Sequence, residues 1–135
     1  MNSVLKNVLG FVAGVIVGGA VNMGIVKLSG FVIPLPEGVD PTNMESLKES
    51  MHLFEARHFI FPFLAHAAGT FVGALLAAWI AVTHKMKFAL AVGGVFLLGG
   101  IANTIMLPAP TWFVVLDLVV AYIPMAWLGM RLAEE

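Results

Sequence analysis

Four stretches of this chain stay almost wholly apolar, separated by two short polar breaks and one long one. The runs cover residues 8–26 (VLGFVAGVIVGGAVNMGIV), 59–82 (FIFPFLAHAAGTFVGALLAAWIAV), 88–107 (FALAVGGVFLLGGIANTIML) and 112–130 (WFVVLDLVVAYIPMAWLGM). Each approaches the ~20 residues a helix needs to cross a ~30 Å hydrocarbon core. Only helices and closed barrels satisfy their backbone in lipid, and none of the runs alternates polar and apolar positions as a barrel strand does. The pattern therefore predicts an all-α integral membrane protein of a single domain, with four transmembrane helices in a compact bundle. The first run also fits a secretory signal loosely, through Lys6 and the small residues Gly18 and Ala20. It is long for such a signal and is read as a membrane helix.

The long break, residues 29–57, is the one sizeable segment outside the spans. FVIPLPEGVDP holds three prolines and should run extended. In TNMESLKESMHLFEARHF, Met44, Leu47, Met51 and Phe54 recur at helical spacing, with Glu45, Lys48, Glu49 and His52 between them. Thr42 and Glu45 match a capping box. The expectation is an amphipathic surface helix between the first and second spans, lying on the outer membrane face or packed as a cap over the bundle. Pro62 should bend its junction with the second span, and Pro124 should kink the fourth.

Composition agrees. Of 135 residues, 60% are hydrophobic and 11% charged, against about 25% charged in soluble domains. Membrane lipid is the expected surrounding partner. The net charge of −1 gives no basic surface for nucleic acid. With no cysteine, disulfides, thiolate metal sites and cysteine nucleophiles are excluded. Lys6, Lys85, Lys87 and Arg131 fall at one end of the spans and Lys27, Lys48 and Arg57 at the other. The positive-inside rule then places both termini in the cytoplasm, in a bacterial inner membrane. Trp79, Trp112, Trp127 and Tyr122 lie partly near the predicted interfaces, as aromatic belts do.

Lipid provides no hydrophobic drive for helix association, so close approach through small residues must replace it. Ala65, Gly69, Gly73 and Ala77 recur every four residues in the second span, as do Gly10, Gly14, Gly18 and Asn22 in the first. Ala89 and Gly93, then Gly99 and Asn103, follow in the third. Such faces predict a tight bundle, a homo-oligomer or a place in a larger membrane complex. VGGAVNMGIV in the first span also resembles LGGIANTIML in the third, aligning Gly18, Gly19 and Asn22 with Gly99, Gly100 and Asn103. Duplication of a two-helix hairpin would produce this, and so would shared membrane composition.

The polar residues inside the spans carry the candidate chemistry. At ~1.5 Å per residue, Asn22, Asn103 and Asp117 lie roughly 7 Å below the outer ends, and His66 about 13 Å. A carboxylate at a helix centre costs about 2.5–3.5 kcal/mol to insert, and survives if it is paired, protonated or wet. His66 is the most economical partner for Asp117; Asn22, Asn103, Thr70, Thr104 and Tyr122 are the other groups within reach. These seven residues form the candidate polar pocket. The alternative is purely structural: asparagines bonding across helices, a capped Asp117, a satisfied neutral histidine. A second constellation, His52, Glu55 and His58, offers ligand chemistry for a divalent metal, but its spacing is not HExxH and splits the histidines between faces. No cofactor is expected; haem would need histidines from a second chain. Phosphate loops and GxSxG elbows are absent. Three functions follow as expectations: an outward-facing pocket that binds or passes a small solute, ion or proton; an accessory or scaffold subunit; and a metal-assisted membrane enzyme.

Overall fold

The structure is a computed structural model and describes residues 2–135. Six α-helices follow one another: α1 (Ser3–Val32), α2 (Met44–Ser50), α3 (Ile60–Ile80), α4 (Lys85–Met106), α5 (Thr111–Val120) and α6 (Ile123–Glu134). No strand occurs among the described residues. Four helical stretches are long and apolar enough to cross a membrane: Ser3–Val32, Ala56–Ile80, Lys85–Met106 and Thr111–Glu134.

Local chemistry sets the ends of these helices. Asn2 caps α1, its side chain accepting the Leu5 N–H at 2.8 Å. The helix then runs well past the expected 8–26. Lys27 does not stop it, and the Ser29 hydroxyl donates back to the Val26 carbonyl at 2.6 Å. It ends at Ile33 because Pro34 disfavours helical geometry in the residue before it; Ile33 sits at φ −126°, ψ 89°. The same device ends α4, where Leu107 is extended before Pro108. The fourth span is broken rather than continuous. Tyr122 takes φ −113°, ψ −80°, and Pro124 opens α6 in its first turn. A proline here cannot donate to the preceding turn, and its ring crowds the carbonyl four residues earlier.

The surface helix is shorter than its apolar spacing predicts. The α-helix stops at Ser50, one 3₁₀ turn follows over Met51–Leu53, and Phe54 and Glu55 are extended. A second 3₁₀ turn, Ala56–Phe59, leads into α3, so the chain breaks at 54–55 and not at Pro62, which lies in the first turn of α3. The cap of α2 is Asn43, whose side chain accepts the Ser46 N–H at 3.1 Å. Thr42 instead donates both its hydroxyl, at 2.7 Å, and its N–H to the Asp40 carboxylate. These bonds, the hydroxyl's first, hold Asp40 below its ordinary value of 3.8.

α3 is the central helix, flanked by α1, α4 and α6. Its closest neighbour is α1. A Cβ on Gly18 would fall 2.6 Å from the Gly69 carbonyl oxygen, and one on Gly73 2.6 Å from that of Gly14. The two backbones thus touch where no side chain intervenes. Below this seam, at the end that carries the α3–α4 turn and both termini (the hairpin end), Ala74, Ala78, Ala89, Ala126 and Met130 pack into a closed core. At the opposite end, Met51 from the long loop is buried against Phe59 and Phe113, with Phe54, Phe63, Leu107 and Ala109 around them. The loop reaches this end through Met51 and Phe54, while α2 itself buries no residue. This is the capped end.

Candidate functional site

His66 lies in the second turn of α3, on the face that meets α5. Asp117 faces it from the second turn of α5, and His66 Nδ1 lies 2.8 Å from Asp117 Oδ1. The other carboxyl oxygen, Oδ2, accepts the Tyr122 hydroxyl at 3.0 Å. Tyr122 reaches it because the helix breaks there, and because Gly100 on α4 leaves room: a Cβ on Gly100 would lie 2.5 Å from the tyrosine oxygen. The His66 and Tyr122 rings stack with centroids 5.7 Å apart. Asp117 keeps 5% of its side-chain surface exposed and His66 19%, so the carboxyl is enclosed while the imidazole reaches open space.

Where Asp117 is a carboxylate it can only accept, and His66 Nδ1–H is the donor to it. Nε2 lies on the far side of the ring and has no hydrogen-bond partner among the described residues.

Two cavities meet at the imidazole. The larger, about 320 Å³, lies under the loop cap. His66, Asp117, Asn22 and Asn103 line its polar part, while Met51 and Phe113 belong to a largely apolar remainder. The smaller, about 220 Å³, opens between α1 and α4 and is lined by Thr70, Phe96, Gly99 and Tyr122. Asn22, His66, Gly100 and Asn103 border both.

The seven expected pocket residues therefore gather at one level, but they do different things. His66, Asp117 and Tyr122 form the bonded chain. Thr70 and Thr104 line the cavities yet spend their hydroxyls on backbone, donating to the His66 and Ile101 carbonyls at 2.7 Å each. Asn22 and Asn103 share no hydrogen bond, so the expected bond across helices does not form. Instead Asn22 Oδ1 is buried with no partner. The two asparagines aligned by the repeat thus occupy matching positions, whereas the glycines do not. Gly18 meets the Gly69 backbone while Gly99 faces open space, and Gly100 rather than Gly19 is the packed member of its pair. Tyr122 is buried at 2% exposure and takes no part in an aromatic belt; Trp79, Trp112 and Trp127 are exposed.

The second constellation is dispersed. His52 is exposed, His58 is buried, and His58 Nδ1 accepts the Glu55 backbone N–H at 2.8 Å. The Glu55 carboxylate faces Arg57 Nε at 3.2 Å. Histidine and glutamate close the 3₁₀ turn reciprocally, as a capping box does. Among the described residues, no three histidine, aspartate or glutamate side chains gather around a point that could hold a metal.

One polar residue of the hairpin end escaped the sequence reading. Asn7 is buried; its amide donates to the Thr83 hydroxyl at 2.7 Å and its oxygen accepts the Val82 N–H at 2.8 Å. Its spacing was the available signal, since Asn7, Gly10, Gly14 and Gly18 fall on one helical stripe and share the buried face of α1. Compared with protein-family models, curated proteins and solved structures, the chain matches none.

Proposed function

We propose that the four long helices cross a bilayer with the capped end outward, and that the protein binds or passes a small solute, ion or proton at His66 and Asp117. One observation carries this reading: the bonded Asp117–His66 pair ends in a free imidazole nitrogen that borders two cavities. The unbonded nitrogen lies on the side of the ring that a molecule in the cavities would reach. An ionisable pair at membrane depth is costly and is a functional-site hypothesis by default. The apolar lining and the small number of convergent polar groups fit an ordinary ligand pocket, whose volumes begin near ~300 Å³.

The natural absence of cysteine makes the test clean. Asn103→Cys in reconstituted vesicles should react with a membrane-impermeant thiol reagent added on the capped-end side. Leu98→Cys, exposed on the outer surface of the same helix, should stay unreactive among acyl chains. Equal silence at both positions would remove the outward-facing pocket.

A second reading, an accessory or scaffold subunit in a homo-oligomer or larger complex, is favoured by a separate observation. Around Gly19, Gly24, Gly94 and Gly99, an added side chain would meet no atom within 4 Å. These small-residue surfaces are open to another helix. Size measured in detergent and in native-membrane extracts distinguishes a lone chain from a complex.

A further inference from the structure

The loop that roofs the larger cavity is joined to α3 through one histidine nitrogen. Met51, Phe54 and Phe59 all line that cavity. Phe54 and Glu55 are the extended residues where the loop breaks, and the 3₁₀ turn Ala56–Phe59 follows them. His58 is buried in this turn, and its Nδ1 accepts the Glu55 backbone N–H at 2.8 Å. The Phe54 ring meets the His58 ring edge-on with centroids 5.4 Å apart, and lies 5.6 Å from the Phe59 ring. The bond therefore sits at the pivot between the cavity roof and the helix that carries His66.

An accepting nitrogen carries no hydrogen, so the neutral His58 ring keeps its single hydrogen on Nε2. A second proton has only Nδ1 to occupy, and there it would face the Glu55 N–H donor. The imidazolium and this bond exclude each other. The charged groups of the same turn are Glu55 and Arg57. The Glu55 carboxylate already accepts the His58 backbone N–H and faces Arg57 Nε at 3.2 Å. A cation that swung toward that carboxylate would break the same bond. Of the elements packed here, α3 brings one titratable group, His66, and α5 brings one, Asp117, and these two are bonded to each other. No hydrogen bond or ion pair from another element reaches the His58 ring among the described residues.

We infer that His58 is an acid-sensitive gate over the pocket: proton uptake at Nδ1 releases the segment from Met51 to Glu55 and uncovers the larger cavity. The inference rests on the pocket reading above and names how access to that site is regulated. Its sign follows from the bond. The bond exists only while the ring is neutral, so the cap is closed above histidine's ordinary titration range and loosens as pH falls through it. Release stays local because α2, the element before this segment, buries no residue. Met51, Phe54 and the His58 bond are what hold the segment down.

Because the chain has no cysteine, single nitroxide labels report each part in turn. A label at Leu53→Cys, an exposed position, reads the mobility of the cap. A label at Asn103→Cys reads collisions with a water-soluble relaxant inside the cavity. In nanodiscs, lowering the pH from about 8 to about 5.5, across histidine's titration range, should raise the mobile fraction at the first and the collision rate at the second severalfold. His58→Gln supplies the side-chain oxygen that glutamine uses at this position of a capping box, and it does not titrate. With it, both labels should read at either pH as the wild-type background does at the higher one. His58→Leu strips the Glu55 N–H of its acceptor and should read open at both. Labels indifferent to pH in the wild-type background overturn the gate, as does a response that survives in His58→Gln. A loosened Leu53 label beside an unchanged Asn103 label overturns it too, since the segment would then move without uncovering the cavity. Should His58→Leu fail to fold, wild type against His58→Gln decides. The pocket reading fails separately, and only if Asn103→Cys meets neither relaxant nor thiol reagent at any pH.

Discussion

The two ends of this bundle bury polar side chains in opposite ways. At the hairpin end the buried polar groups find partners, on backbone and on the Thr83 hydroxyl. Asn7 ties α1 to the turn at residues 82–83, and the Lys85 ammonium donates to the Ala78 and Ala81 carbonyls, covering the C-terminus of α3. That placement also satisfies the helix dipole. Around these groups Ala74, Ala78, Ala89, Ala126 and Met130 pack into a buried cluster. At the capped end His66, Asp117 and Tyr122 close on one another, and the chain of bonds stops short: an imidazole nitrogen beside the cavity and the buried Asn22 amide oxygen remain unspent. Satisfied polar groups hold a structure together. Unsatisfied ones are costly wherever water is excluded and need a reason outside the fold.

The contrast can be broken most forcefully at Asp117. Asp117→Leu strands both the His66 ring and the Tyr122 hydroxyl, and breaking a buried pair in this way costs about 3 kcal/mol or more; unfolding in mild detergent should show a large loss. Asn7→Ala comes next. It leaves the Val82 N–H and the Thr83 hydroxyl without partners, a loss of about 1–3 kcal/mol, yet the reactivity of Asn103→Cys should be unchanged because Asn7 is at the other end. Tyr122→Phe removes one hydrogen bond to the carboxyl while keeping the ring, and should cost about 1 kcal/mol. Asn22→Leu should cost nothing measurable, within about 0.5 kcal/mol of wild type, since the oxygen it deletes has no partner to lose. A stability loss there comparable to that of Asn7→Ala would erase the distinction between the ends. Smallest is Thr42→Val in the cap. It should let the Asp40 pKa rise toward 3.8, read by carboxyl NMR. Because the folded value is depressed, these bonds contribute above the unfolded pKa and fade as pH falls through the folded one.

The four helices were legible because a run of apolar residues long enough to cross lipid has few other uses. The His66–Asp117 pair was legible for a related reason: ionisable residues in such runs are so few that depth alone made them partners. The details missed depend on tertiary contact or on close competition between local signals. Thr42 and Asn43 are adjacent cap candidates, and Asn43 prevails while Thr42 serves Asp40. The apolar spacing of Met44, Leu47, Met51 and Phe54 suggested one continuous helix, yet burial of Met51 against Phe59 and Phe113 accompanies a break at Phe54 and Glu55 that the spacing does not encode. Pro124 announced a break in the fourth span, but not that the break would hand the Tyr122 hydroxyl to Asp117.

The central claim is that Asp117 fixes His66 with Nδ1 protonated and leaves Nε2 as a free acceptor facing the cavity. Side-chain ¹⁵N NMR of histidine-labelled protein in nanodiscs measures this directly, with His66 assigned by its loss in His66→Gln. The account predicts a hydrogen-bonded Nδ1–H and an unprotonated Nε2 at neutral pH. A hydrogen on Nε2 with Nδ1 bare would contradict it.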